Sequence, residues 1–376
     1  MMRGRGGRPM NRTQLRTPFK TVKSHVAKPP FDLIMCENSF PRVNTVNDEN
    51  FQAALIKRVN DLSPTEIELN NLNTLVVEVQ KVFDSLIVSP NNFSGCQIEE
   101  SRAVGSFKKG TILRGHKTAD VVVVLQTLPF QKSIEVLAVR VLDDLKKLQS
   151  LPQVEKYFYE LNENGFVIKG ALGSVRIRIA TVPSNYSKLD PNVHLPLKTL
   201  ENHAAAVKHV RWFEENAQNE TIKNTVRLLR DLKLRFEGLG VLSPWMIDLL
   251  SFHVIMNNPK KEILTESAAY RRALQLLAAG LFLIGSAGIA DPCDNNKWLH
   301  NAMPYEQQDL LCLTAQNLIR VLAHGGYIPL LSGKPNIATS ATMWQGVVVN
   351  SSEKAYEKPI EKESTVEEME VSAGEI

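Results

Sequence analysis

Gly105-Ser106-Phe107-Lys108-Lys109-Gly110-Thr111 and, after a short basic connector, Asp120-Val121-Val122-Val123-Val124-Leu125 decide how this chain is read. Gln97 to Val104 leads into the first motif as a strand, Gly-Ser opens a brief helix, and Asp120 to Leu125 follows as a β-branched, buried strand. A third strand is expected at Ser174 to Thr181, where Val175-Arg176-Ile177-Arg178-Ile179 alternates with period two. Around these lie helical patterns. Phe51, Leu55, Ile56 and Val59 share one face, Leu69 to Leu86 forms a second helix, and Ile134 to Leu148 a third. Helices bracketing a few strands make an α/β or α+β layer. After Pro196 strand signals nearly vanish. Periodic apolar segments recur at 200–217, 222–236, 244–257, 267–284 and 305–323, with Pro196, Pro244 and Pro304 at starts and Gly238, Gly285 and Gly325-Gly326 at stops. One late strand is expected within 345–350.

The chemistry of the opening stretch is that of a nucleotide cradle. Backbone N–H groups at a helix start, with a hydroxyl beside them, suit phosphates. Transfer of a nucleotidyl group to a hydroxyl uses two metal ions to neutralise the attacking and leaving oxygens. An Asp-x-Asp pair holds such ions, because a spacing of two puts both carboxylates on one strand face, and a third acid comes from a neighbouring strand. Asp120 fits the first position, but the second is Val122. On the strand that should carry the third acid stand Arg176 and Arg178, which repel metal ions and neutralise phosphate directly. The cradle is kept and the catalyst is not. Lys108, Lys109, Arg114 and Lys117 in the connector fit either phosphate contacts or a solvated basic loop, and Arg227 or Lys233 on the 222–236 helix fits a cleft or a solvent face. An active enzyme would need Asp120 to work with another acid, such as Glu99 or Glu100.

Composition bounds the rest. The chain has 376 residues, 43% hydrophobic and 22% charged, and can bury two sub-domain cores. Its net charge of +4 is unevenly spread. The first 28 residues hold eight Arg and Lys and no acid, including Arg3, Arg5 and Arg8 in an Arg-Gly run that suits weak RNA binding or a solvated tail. From Glu353 the tail is mostly acidic. Four cysteines without a Cys-x-x-Cys suggest neither a disulfide framework nor a zinc finger. The apolar run 276–289 is too short to span a bilayer, so no membrane is expected. The histidines lack the i, i+4 spacing of a zinc hydrolase, and no metal site or catalytic nucleophile is assigned. The late helices (Trp245, Met246, Leu249 and Leu250, then Leu310, Leu311 and Leu318 among others) carry more apolar surface than one small core consumes, which suits a partner interface.

Taken together, the 105–111 and 119–123 motifs, Arg211-Trp212-Phe213-Glu214-Glu215-Asn216-Ala217, Val226-Arg227-Leu228-Leu229-Arg230-Asp231-Leu232 and Gly288-Ile289-Ala290-Asp291-Pro292-Cys293 resemble the DZF domain, the domain associated with zinc fingers. Leu242-Ser243-Pro244-Trp245 with Asp248-Leu249-Leu250 is also similar to the helical domain of the oligoadenylate synthetases, to which that family is related. The resemblance runs from about Pro30 to Ser352. It implies an α+β fold: a nucleotidyltransferase-like mixed sheet with helices, then an all-helical domain. The expected division is a basic arm at 1–29, an α/β domain at 30–195, a helical and dimerising domain at 196–345, and an extension with an acidic tail at 346–376. The Arg-Gly arm, Phe40-Pro41-Arg42-Val43 and the 352–359 segment resemble the small members that lack zinc fingers and double-stranded-RNA-binding domains. Such a member is implied to be catalytically inactive, with Gly105, Ser106, Asp120 and Arg178 as a vestigial nucleotide site. That site requires no cofactor but has room for ATP or UTP, with magnesium held weakly or not at all. The implied partner is a larger DZF protein bearing double-stranded-RNA-binding domains or zinc fingers, and through it double-stranded RNA and DNA. The implied place is the nucleus, with the nucleolus and cytoplasm as further locations, in transcription and RNA metabolism. A non-catalytic nucleotide-binding module is the remaining alternative.

Overall fold

The computed structural model describes residues 48–90, 93–148, 151–257, 262–294, 297–323, 325–332, 342–344 and 347–349. The basic arm with Arg3, Arg5 and Arg8, and the acidic tail, lie outside the described residues.

The chain starts with α1 (Asp48–Leu62) and α2 (Glu66–Val88). Thr65 and Glu68 close a capping box at the start of α2, each satisfying the other's backbone N–H. Then come β1 (Ile98–Val104), the one-turn α3 (Gly105–Lys108), β2 (Thr118–Leu125) and α4 (Gln131–Lys147). A hairpin of β3 (Phe158–Asn162) and β4 (Gly165–Gly170) leads to β5 (Gly173–Thr181). This hairpin was not expected from the sequence, although Asn164-Gly165 at its turn is a hairpin signal. The sheet order is β1-β2-β5-β4-β3, with β2 and β5 parallel and the other pairs antiparallel.

The β2–β5 register makes the two faces of the sheet different. Val121 opposes Ile177 and Val123 opposes Ile179. These join α2 and α4 in one core, where Val121, Val123, Ile177 and Ile179 are completely buried. Each such side chain contributes about 1.5–3 kcal/mol of apolar burial. On the other face Asp120 opposes Arg176, Val122 opposes Arg178 and Val124 opposes Ala180. That face is partly roofed by α5 (Leu197–Asn216), whose Val210 packs with Val104, Val122 and Ala180.

The helical half comprises α6 (Glu220–Arg235), α7 (Pro244–Met256), α8 (Glu266–Ala278), α9 (Tyr305–Ala323) and α10 (Tyr327–Leu331). Ser243 caps α7, with Pro244 in its first turn. Expected to run to residue 284, α8 stops at Ala278, because Gly280 takes a left-handed φ of +88° and Leu281 N–H returns to the Leu276 carbonyl. Two elements pack across the expected boundary at 195/196. α1 puts Phe51, Leu55 and Val59 into the helical core, Phe51 edge-on to Tyr270 at 6.1 Å, while α5 lies on the sheet. Late in the chain β6 (Thr342–Trp344) pairs antiparallel with β7 (Val347–Val349), which places a strand where one was expected.

Candidate functional site

The Gly-Ser turn and the carboxylate strand meet as the sequence implies. Gly105 follows the extended Val104 with φ +70°, and a Cβ there would stand 2.8 Å from Asp120 Oδ2. Only glycine lets the turn close over the carboxylate. No side chain caps the start of α3, so its first N–H groups have no intrahelical partner.

Asp120 does not stand alone, and among the described residues it has no acidic partner beside it. Its Oδ1 accepts from Arg176 Nε at 2.6 Å and from Arg178 Nε at 3.1 Å. Val122, at the second position of the Asp-x-Asp spacing, is buried under α5 at 1% exposure. Glu100 lies opposite Val124, four residues along β2 from Asp120. At the rise of a strand that is about 13 Å, too far to share an ion. Its carboxylate is held by Arg102 at 2.9 Å, and that of Glu99 by the Gln126 amide. With one carboxylate between two guanidinium groups, the cluster carries net positive charge and suits an anion. His116 nearby is held below its usual range by burial, and further by Arg230.

The connector that follows is tied into the helical half. Lys109 is buried, 2.6 Å from Asp248 Oδ2 on α7, with its ammonium 4.9 Å from the Trp245 ring centroid. Burial pushes the Asp248 carboxyl above its ordinary value, against the pull of Lys109 and then Arg230. From α6, Arg227 donates to the Gly110 carbonyl at 2.6 Å and Arg230 to the Thr111 carbonyl at 2.8 Å. Lys108 pairs with Glu214, and Arg114 donates to the carbonyls of Asn60 and Ser63. Lys109 is thus spent on a buried internal tie, while Lys108 and Arg114 make their ties at the exposed surface. Arg227 likewise faces the other half of the molecule, and Lys233 donates to the Leu242 carbonyl. None of these ties was expected from the sequence, since the partners are up to 139 residues apart.

Family models match nearly the whole described chain: the DZF N-terminal domain over residues 14–218 and the DZF C-terminal domain over residues 221–350. The chain belongs to the DZF family. The join between the two matched DZF domains falls after α5, in keeping with the packing of that helix on the sheet. Solved structures of similar fold are nucleotidyltransferases. CdnC of E. coli MS115-1 with ATP is 13% identical with a TM-score of 0.52, over 75% of this chain and 94% of that one. Cid1 with its short product ApU is 10% identical with a TM-score of 0.51, over 76% and 98%. A mutant of the Cid1 poly(U) polymerase bound to MgATP is 11% identical with a TM-score of 0.51, over 76% and 99%. At these identities the likeness establishes the α+β nucleotidyltransferase-like fold.

Two further features of this DZF fold escaped the sequence. His209 on α5 stacks on Trp245 at 4.0 Å and 8°, and burial pushes its imidazole down to about 3. A groove of about 940 Å³ runs between Trp245, Trp298, Met303 and Leu310 in the helical half. Most of the late-helix apolar residues are consumed by the core, including Met246, Leu249, Leu250, Leu311 and Leu318. Trp298 and Leu310 remain 46% exposed.

Proposed function

We propose that this DZF chain is a catalytically inactive nucleotidyltransferase-fold subunit. On this reading it pairs with a larger DZF protein carrying double-stranded-RNA-binding domains or zinc fingers, and acts through that partner on double-stranded RNA and DNA in nuclear transcription and RNA metabolism. Asp120 held by Arg176 and Arg178, with Val122 buried beside it, carries the proposal. A two-metal site needs clustered carboxylates, and the described residues bring no second acid to Asp120. The exposed Trp298 and Leu310 at the apolar groove support the partner half, as aromatic anchors in pockets dominate interfaces. The Arg-Gly arm and the 352–359 segment, which resemble the small subunit of interleukin enhancer-binding factor, support the choice of partner. The purified chain, offered RNA primers and each nucleoside triphosphate with magnesium or manganese, incorporates nothing, and the tagged chain recovers a larger DZF protein in stoichiometric amount. An incorporation activity lost on Asp120→Ala overturns the inactive reading.

A retained nucleotide site is a second reading, favoured by the uncapped start of α3 and by two arginine forks that use only Nε on Asp120. ATP or UTP would place its phosphates there without a metal. Ligand bound to the native state raises its melting temperature, so a thermal shift with each nucleotide, lost in Arg178→Ala, tests it.

A further inference from the structure

His209 on α5 and the loop of Asp291 and Cys293 meet where the two halves of the molecule touch. One ring nitrogen of His209, a carboxylate oxygen of Asp291 and Cys293 Sγ all lie within 4.8 Å of one another. We propose that these three side chains hold a divalent ion of the zinc class that clasps the two DZF domains together.

The donor set points to that class. Imidazole nitrogen, carboxylate oxygen and thiolate sulfur are the three ligand types of protein zinc, and the mixture disfavours the all-oxygen ions magnesium and calcium. Bond lengths of roughly 2.0–2.3 Å in a tetrahedron set ligand separations at about 3.3–3.8 Å. The group therefore closes on an ion by a shift of about 1 Å. Three protein ligands leave a fourth position for water.

The outer shell is present as well. Trp245 stacks on His209 and donates its Nε1–H to Asp291 Oδ2 at 3.0 Å, so one residue orients ligands from both halves. Cys293 N–H donates to Asp291 Oδ1 at 2.8 Å, which fixes the loop that carries the other two ligands. Ligating carboxylates and imidazoles are generally held in this way. The outer ligands, 209 and 293, lie 84 positions apart with no local motif, so spacing rules do not detect them.

Cobalt(II) is the probe. The purified full chain, stripped with chelator and titrated with cobalt, should take up one equivalent and show a thiolate-to-cobalt charge-transfer band and tetrahedral d–d absorption. Zinc should displace both. Cys293→Ser should lose the charge-transfer band, and His209→Phe, which keeps a ring against Trp245, should weaken cobalt binding about tenfold or more. Zinc should raise the melting temperature of the parent chain and not of either variant. The described Cys96 and Cys312 are buried. The absence of a charge-transfer band in the parent chain, or a band that survives in Cys293→Ser, overturns the site.

Discussion

Replacing Lys109 by methionine leaves a chain of similar length against Trp245 but removes the cation facing Asp248. At 2.6 Å and an effective dielectric of 20, the pair is worth about 6 kcal/mol of gross attraction. Desolvation of both groups offsets much of this. The net cost of deleting one partner alone is about 3–5 kcal/mol, because the other is left buried and unpaired. Against a total stability of about 5–15 kcal/mol, that is a large share. The deficit depends on pH in a defined direction. Burial already raises the Asp248 carboxyl above its ordinary value of 3.8, and Lys109 is the largest opposing pull. Lys109→Met therefore raises it further. A group whose folded value is raised contributes its stability below the unfolded value and loses it as pH rises through the folded one, so the deficit of Lys109→Met grows toward neutrality, by up to about 1.4 kcal/mol per pH unit. Urea unfolding at pH 5, 6 and 7, followed by tryptophan fluorescence, measures it. Lys109→Met with Asp248→Leu should recover most of the loss, since an apolar pair of similar volume replaces the ions. A loss below about 1 kcal/mol, or a deficit that shrinks toward pH 7, refutes the reasoning.

Gly105→Ala should destabilise by about 1–2 kcal/mol for the left-handed backbone alone, with a further loss as Asp120 is displaced; an unchanged calorimetric midpoint would count against the close approach of the two. Val122→Asp writes the Asp-x-Asp pair back into the chain, and it should cost at least the roughly 1–3 kcal/mol of a buried polar group, with Arg178 across the ladder offsetting part of the added charge, while restoring no nucleotide incorporation. His203 is buried with Nδ1 at 2.6 Å from the Ile179 carbonyl, and burial holds its imidazole below 6.5, so its contribution is present above 6.5 and is lost as pH falls from there. His203→Phe should flatten the fall in urea midpoint below that pH, and an unchanged slope would assign the acid sensitivity to other groups.

What the sequence disclosed was whatever depends on local pattern. The alternation of 175–179 told that Arg176 and Arg178 share a face, and the parallel register then brings both onto Asp120. Val122 declared itself by being apolar at a position that needs charge. The β3–β4 hairpin was missed because its outer strand is mostly exposed and lacks clean alternation, despite the Asn-Gly turn. An apolar stripe tells that α1 is buried but not against what, which is why its place in the helical core emerges only from the fold. Lys109 shows the same limit for charge. A lysine in a basic connector resembles a solvated or phosphate-binding one until Asp248, 139 residues away, is seen beside it.

These internal ties bear directly on the choice between enzyme and partner. In a working transferase, cleft cations and carboxylates are held ready for substrate, metal and leaving group. Here Asp120 is committed to two arginines, Lys109 to Asp248, and Arg227 and Arg230 to the carbonyls of Gly110 and Thr111. Hinge closure around a substrate would have to break the ties of Lys109, Arg227 and Arg230, of which the buried Lys109–Asp248 pair is worth more than an exposed contact. A cleft fastened in this way is costly to move, and it fixes the helical half against the sheet. Fixed geometry is what an interface wants, since a preorganised surface loses little freedom when a partner docks. Lys109, Arg227 and Arg230 fix the helical half against the sheet, so under the proposed inactive reading the groove of Trp298 and Leu310 is offered to a partner in one presentation.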